Sequence, residues 1–207
     1  EIAGYAEVTA NGGEVRVLMD PHVVNVLPFL SMLMGNYLST FGVLLLCTQY
    51  RALALRRQAS QDPLTGLLNR RGFMERCVTA PKQGALVVLD LDDFKQINDR
   101  HGHEAGDRVL AAVGAYLAGQ GDLVASRFGG EEFVLLLPEG DALAQQARCE
   151  QIRQGIATLP LDGIQVTASL GLVPYARGWH LDTLFGQADR ALYQAKRSGK
   201  NRVCLPA

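Results

Sequence analysis

Two acidic segments most constrain what this chain can fold into. The first, Arg127–Phe133, joins two apolar runs through Gly129-Gly130 and Glu131-Glu132. It predicts a two-residue β-hairpin with a Gly-Gly turn, because glycine accepts the positive φ values of such turns and lets a backbone or a phosphate come close. The second, Leu89–Lys95, ends an apolar run with several carboxylates. It predicts a buried strand that carries acids at its carboxyl end.

Two acidic clusters beside a turn without side chains suit a divalent cation that carries a nucleoside triphosphate. Magnesium is held by one or two carboxylates together with substrate phosphates, rather than by a complete protein cage. The alternative for Asp90 and Asp92 is a pair of solvated acids at a strand end. The nearby hairpin and Lys95 favour the binding site.

Helical and strand patterns alternate along the rest of the chain and include the hairpin. This order predicts an α/β fold, in which a mixed central sheet is flanked by helices. The predicted helices cover 69–78, 94–98, 108–117, 141–159 and 181–197; the predicted strands cover 85–91, 123–128, 133–137, 164–173 and 201–205, with a loop over 101–107.

A run without Asp, Glu, Lys or Arg extends from Pro21 to Tyr50. As a helix it would measure ~45 Å, which exceeds the ~30 Å hydrocarbon core of a bilayer. Arg51, Arg56 and Arg57 follow the run, and acidic residues dominate the side before it, so the positive-inside rule places the C-terminal part in the cytoplasm. The expectation is a transmembrane helix over 21–50 and a helical linker over 51–61. The alternative is a buried helix of a soluble protein.

Residues 1–20 contain two short alternating segments around Asn11-Gly12-Gly13, which predict a hairpin. We expect it to close an extracytoplasmic region, and the chain, which begins with Glu1, to be a fragment. The net charge of −1 argues against a nucleic-acid partner. The four cysteines are scattered without zinc spacing, which indicates reduced thiols.

The motifs together resemble the GGDEF family of diguanylate cyclases, here with a GGEEF turn. The resemblance covers Asp62 to about Val203 and assigns 62–207 to a catalytic domain. It implies a fold like the palm of nucleotide polymerases and nucleotidyl cyclases, and a reaction that joins two GTP into cyclic di-GMP and two pyrophosphates. The matching segments are 62–70, 90–99, 102–107, 127–133, 169–171 and 188–196.

Metal and catalytic roles follow from the resemblance, residue by residue. Asp90, Glu131 and the backbone carbonyl of Leu91 match the family's metal ligands, for Mg²⁺ with Mn²⁺ as the alternative. Glu131, Glu132 and Lys95 match its catalytic positions. The general base stays open, because a carboxylate bound to magnesium is a poor base. Glu132 is either structural or helps to place the second subunit.

Substrate contacts also follow from the resemblance. An amide and a carboxylate, Asn98 and Asp107, match the pair that reads guanine, whose N1–H and amino group donate to a carboxylate. Three lysines match phosphate-binding positions: Lys95, Lys196 and Lys200. The turn residues Gly129 and Gly130 let the hairpin approach the nucleotide.

The resemblance implies a homodimer, since each domain binds one GTP and the two must face each other. Many members inhibit themselves through an Arg-x-x-Asp motif before the hairpin. Here Asp122 has Gly119 three residues before it, and a shift by one residue offers Gln120. We therefore expect no product-inhibition site of this type. Two rival functions remain: a silent GTP-binding domain, and cyclisation of a single nucleotide.

Overall fold

A computed structural model describes residues 21–58, 60–79, 81, 83–176 and 178–206. The chain divides into two units, 1–58 and 59–207, and each is described by itself. The hairpin expected within residues 1–20 lies outside the described residues.

The first unit contains one long helix, α1, at Pro21–Gln58. The stretch Pro28–Arg51 is long and apolar enough to cross a membrane, and none of it is buried. Large apolar side chains such as Phe29, Leu38 and Leu46 are more than half exposed. The helix therefore presents apolar surface that nothing in the described chain covers. It continues through the predicted linker as far as Gln58.

The second unit is a six-stranded mixed sheet with the order β1-β3-β4-β2-β5-β6. The β1–β3 and β5–β6 pairs are parallel, and the β3–β4, β4–β2 and β2–β5 pairs are antiparallel. This confirms the predicted α/β class. The strands are β1 Leu68–Asn69, β2 Gly84–Leu91, β3 Val124–Gly129, β4 Glu132–Leu137, β5 Ala168–Tyr175 and β6 Val203–Cys204; the helices are α2 Arg70–Cys77, α3 Phe94–His101, α4 His103–Ala118, α5 Ala142–Ala157 and α6 Leu181–Arg197.

Strand β2 lies in the centre of the sheet, and all of its residues are buried. Successive side chains of a strand point to opposite faces. Accordingly, Val87 and Leu89 belong to one apolar cluster and Leu86 and Val88 to the other. Because both faces are covered, the strand reads as a continuous apolar run. Asp90 lies near the carboxyl end of this strand, opposite Glu132 of β4.

The predicted loop over 101–107 is wrong, since α4 begins at His103 and follows α3 after Gly102 alone. Gly102 has a φ of +83°, which turns the chain between the two helices. The two glycines of this segment, at positions 102 and 106, favour a loop. The second glycine serves packing instead: a Cβ at Gly106 would lie 1.9 Å from Oδ1 of Asn98.

Several other boundaries differ from the predictions, most clearly those of the last two strands. The strand expected from residue 164 begins at Ala168, and the segment before it is irregular. The closing strand is only Val203–Cys204. By contrast, helix α6 has the predicted bounds, because a strong period of apolar residues and a Ser-Gly stop define it.

Candidate active site

The carboxyl end of β2 lies against the hairpin tip. Asp90 pairs with Glu132 across the β2–β4 ladder. The backbone N–H of Leu91 donates to the carbonyl of Glu131 at 3.3 Å. The structure therefore brings together Asp90, Leu91 and Glu131, the three residues that the sequence selected as metal ligands.

The hairpin turn is displaced by one residue from the prediction. Gly129 pairs with Glu132, and the ladder is irregular between Arg127 and Gly129. The two turn residues are thus Gly130 and Glu131 rather than the two glycines. Gly130 has a φ of +51° and Gly129 of +153°, values that disfavour any residue with a Cβ. The irregularity places Glu131 at the tip of the hairpin.

The Arg127 side chain stabilises this turn through hydrogen bonds. Its Nε and one terminal nitrogen donate to the Gly130 carbonyl at 3.0 and 2.8 Å. The other terminal nitrogen donates to both carboxylate oxygens of Asp62, at 3.1 and 3.2 Å. One side chain thus connects the start of the domain to the hairpin tip. Arg127 is not among the predicted site residues.

Asp90 is 6% exposed and pairs with Lys196, whose Nζ lies 2.8 Å from Oδ1. The pKa of Asp90 is raised, chiefly because burial disfavours the charged form; Lys196 opposes the rise, and the negative charges of Glu131 and Glu132 add to it. Asp90 is therefore a desolvated acid beside two other carboxylates, of which Glu131 is partly exposed and Glu132 exposed.

The donor set fits a hard divalent cation. Carboxylate oxygens of Asp90 and Glu131 and the Leu91 carbonyl are the ligands that Mg²⁺ prefers. A cation there would offset both causes of the raised pKa of Asp90, namely the burial of its charge and, to a smaller extent, the repulsion from Glu131 and Glu132. Among the described residues, no group of three His, Cys, Asp or Glu side chains could hold a metal ion alone. Two carboxylates and one carbonyl would leave the remaining coordination positions of Mg²⁺ open to other oxygen ligands.

The next two aspartates have other partners. Asp92 is buried and accepts hydrogen bonds from Thr167 Oγ1 and Ser169 Oγ, each at 2.7 Å, and from the Asn201 N–H at 3.0 Å. It joins β2 to β5 and to the segment after α6. Asp93 accepts from Lys200 Nζ at 2.6 Å. Asp92 is thus a structural acid, which the alternation of acids along the strand does not reveal.

Asn98 and Asp107 lie on the adjoining helices α3 and α4. Gly106, which precedes Asp107, leaves the space that the Asn98 amide occupies. This close approach brings the amide to the helix that carries the carboxylate. Asn98 is partly exposed and Asp107 exposed, so a ligand could reach both.

The predicted phosphate-binding lysines lie at two helix ends. Lys95 is exposed in the first turn of α3. Lys196 is in the last turn of α6, and Lys200 follows that helix. Lys196 pairs with Asp90 near the end of β2, and Lys200 pairs with Asp93 just after that strand. Lys196 therefore contacts a predicted metal ligand, and Lys200 binds an acid two residues beyond Leu91.

The Asp122 carboxylate has an arginine partner from a distant element. Arg148 of α5 donates to Oδ1 of Asp122 at 2.7 Å and to the Gln120 carbonyl at 3.2 Å. The loop that contains Asp122, residues 119–123, has no arginine of its own. A partner twenty-six residues away cannot be found from local spacing.

Comparisons with known proteins agree with this geometry. The profile of the family described as "Diguanylate cyclase, GGDEF domain" matches residues 59–202. Diguanylate cyclase DgcM of Escherichia coli strain K12 is 41% identical over 162 residues, which are 72% of this chain and 39% of DgcM. The chain thus spans less than half the length of this curated relative.

Two solved structures have the same fold. One is the GGDEF domain of DgcB from Caulobacter crescentus in complex with c-di-GMP: the TM-score is 0.66 and the identity 32%, over 72% of this chain and 96% of that one. The other is the active GGEEF domain of a diguanylate cyclase from Vibrio cholerae: the TM-score is 0.56 and the identity 29%, over 66% of this chain and 89% of that one.

Proposed function

The chain belongs to the GGDEF family of diguanylate cyclases, and from this premise we propose that it condenses two GTP into cyclic di-GMP and two pyrophosphates. The observation that carries the proposal is the contact between the carboxyl end of β2 and the hairpin tip, which gathers Asp90, Leu91 and Glu131. The GGEEF turn supports it as well, since a structural relative with this turn is described as active.

The proposed roles follow the geometry of the site. Asp90, Glu131 and the Leu91 carbonyl hold Mg²⁺ or Mn²⁺, which when bound neutralises phosphate charge and orients the triphosphate. Lys95, Lys196 and Lys200 bind phosphate oxygens as point charges. Gly129 and Gly130 leave room for the nucleotide, and Glu132, which pairs with Asp90 across the ladder, is structural or helps to place the second subunit.

Guanine is proposed to bind between α3 and α4. The Asp107 carboxylate accepts from N1–H and the 2-amino group, and the Asn98 amide completes the edge. The closeness of the two helices at Gly106 supports this assignment. A base without a donor at N1 would leave the carboxylate unpaired, which disfavours adenine.

One domain holds one GTP, so we propose that a homodimer is the active form. Each 3′ hydroxyl must meet the α-phosphate of the other nucleotide, and holding reactants in this way can contribute ~7–11 kcal/mol to the barrier reduction.

We also propose that α1 crosses the bacterial inner membrane through 21–50 and keeps the catalytic domain in the cytoplasm. The uncovered apolar surface of α1 and the arginines that follow residue 50 within the same helix support this.

The test is a product assay. The protein, dimerised, is incubated with GTP and Mg²⁺, and the product is identified by mass. We expect cyclic di-GMP. Unchanged GTP would favour a silent binding domain, and cyclic GMP would favour cyclisation of a single nucleotide.

The variant Glu131→Gln should lose at least about 99% of the activity and stay folded, because it removes a metal ligand and leaves the turn intact. The matched control is Glu139→Gln, which removes an exposed acid after β4 and should keep normal activity. Equal activity of Glu131→Gln and the control would contradict the assigned site.

A further inference from the structure

Lys200, expected to contact phosphate, is engaged by a carboxylate of the same chain. Its Nζ lies 2.6 Å from Oδ1 of Asp93. Asp93 also accepts from Gln96 Nε2 at 3.1 Å. The family resemblance assigned no role to Asp93, which follows the predicted metal ligands and precedes the first turn of α3. The Lys200 ammonium group, which we expect to bind a substrate phosphate, is thus already paired with Asp93.

The backbone on each side of this ion pair is held by hydrogen bonds. On the Asp93 side, its carbonyl accepts from the Gln96 N–H at 2.8 Å. The Lys200 N–H donates to the Ala195 carbonyl, and the Asn201 N–H to the buried Asp92, each at 3.0 Å. Lys200 has a φ of +61° and Asp93 of +53°, so each lies in a sterically restricted region. Exchange of partners therefore needs only a rotation of the long Lys200 stem.

The exchange is physically easy. The side chains of Lys200 and Asp93 are 42% and 44% exposed, and an ion pair this exposed contributes little. When Lys200 turns to a phosphate, the Asp93 carboxylate can be hydrated and keep Gln96 as a donor. The Lys196–Asp90 pair differs, because Asp90 is 8% exposed in its side chain and would remain desolvated without another cation.

We propose that Asp93 sets the affinity for the nucleotide by competing with substrate phosphates for Lys200. Asp93 does not touch the reacting atoms; it is a positioning residue that holds Lys200 away from the phosphates until substrate displaces it. Its own negative charge adds repulsion toward the triphosphate. The inference rests on the proposed function only in taking GTP as the nucleotide.

The test uses the variant Asp93→Asn, since asparagine accepts a left-handed backbone as well as aspartate does. The full 207-residue chain in detergent micelles is titrated by calorimetry with 3′-deoxy-GTP and Mg²⁺. This ligand lacks the attacking hydroxyl and cannot turn over. We expect Asp93→Asn to tighten binding about two- to fivefold at low salt, and the gain to shrink at high salt.

Two comparisons separate competition from general charge effects. Glu139→Gln changes the net charge equally at a distant exposed site and should leave the affinity unchanged. In a Lys200→Met background, Asp93→Asn should tighten binding much less than in the wild type, because the pair no longer exists. With GTP as substrate, Asp93→Asn should lower KM and keep kcat.

The outcomes are distinct. Weaker binding by Asp93→Asn would overturn the inference, because Asp93 would then orient Lys200 for the substrate. The inference would also be overturned if Asp93→Asn tightened binding equally in the Lys200→Met background. The effect of Asp93 would then be repulsion of the triphosphate and not competition for Lys200. Tighter binding without formation of cyclic di-GMP would support the inference and contradict the proposed function. If neither the wild type nor any variant bound 3′-deoxy-GTP, both the inference and the proposed function would be contradicted.

Discussion

Asp62 shows how one side chain stabilises the entry to the domain. Its Oδ1 accepts from the Thr65 N–H at 2.9 Å and from the Thr65 hydroxyl at 2.8 Å, and the Arg127 guanidinium binds both oxygens. Burial alone would raise the pKa of Asp62, but the hydrogen bonds from Thr65 and Arg127 outweigh it and lower the pKa below the ordinary value of 3.8. The folded state therefore favours the ionised form.

This shift predicts a dependence of stability on pH. The folded pKa lies below the unfolded one, so the stabilisation is complete above about pH 4 and is lost as the pH falls through the folded pKa. We expect Asp62→Asn to reduce the free energy of unfolding by about 1–2 kcal/mol at pH 7. The difference in the free energy of unfolding between Asp62→Asn and the wild type should become smaller at acidic pH. Urea unfolding at pH 7 and pH 3 measures it, with Glu139→Gln as control; a constant difference would contradict the assignment.

Asp122 supports a second prediction at the scale of residues. Its carboxylate is already bound by Arg148, and neither Gly119 nor Gln120 supplies the guanidinium of an Arg-x-x-Asp motif. We therefore still expect no high-affinity product inhibition through this surface. Calorimetry with cyclic di-GMP should find no submicromolar binding that Asp122→Asn abolishes. Such binding would show that Arg148 substitutes for the missing arginine.

Two glycines of this domain, Gly171 and Gly106, allow neighbouring elements to approach closely. A Cβ at Gly171 of β5 would lie 2.1 Å from the Ala188 carbonyl of α6. Backbone cannot yield there, so glycine is needed for α6 to cover the sheet and to carry Lys196 to Asp90. At Gly106 the neighbour is instead the end of the Asn98 side chain, which can move.

This difference predicts a selective effect of Gly106→Ala. The new methyl group should displace the Asn98 amide and leave the fold intact. We expect the affinity for GTP to fall about tenfold, which corresponds to the loss of about one hydrogen bond. Circular dichroism and calorimetry measure the two effects. The control is Gly186→Ala on α6, where a Cβ meets no atom within 4 Å; an unchanged GTP affinity of Gly106→Ala would oppose the guanine assignment.

The molecule as a whole combines a compact domain, 59–207, with a helix whose apolar surface is uncovered. If each domain is half of an active site, activity depends on how the two copies are held together. We expect residues 59–207 alone to be less active than the same residues fused to a coiled coil, by about tenfold or more at micromolar protein, because the fusion raises the effective concentration of the partner. Rates of cyclic di-GMP formation measure this, and equal specific activities would contradict it.

The cysteines agree with their interpretation as thiols. All four are free, and Cys77 and Cys149 are buried. Burial raises the pKa of Cys77 to about 11 and that of Cys149 to about 12. Thiols of this kind are protonated at neutral pH and therefore poor nucleophiles. They serve the packing of the core.

The sequence by itself determined the α/β class, the positions of most helices and strands, and the residues that meet at Asp90 and Glu131. These features depend on local properties: the period of apolar residues, glycine at positive φ, and acids at a strand end. The helical start of α4 was missed, because the reason for Gly106 lies in its contact with Asn98.

Only the tertiary structure decided which charges pair. The contacts of Arg127 with Asp62, of Arg148 with Asp122 and of Lys200 with Asp93 join residues 65, 26 and 107 positions apart. No periodicity or spacing encodes such contacts, since they depend on how the sheet and helices bring distant segments together. The division of the acidic segment into Asp90 at the site, Asp92 in the core and Asp93 on Lys200 has the same origin.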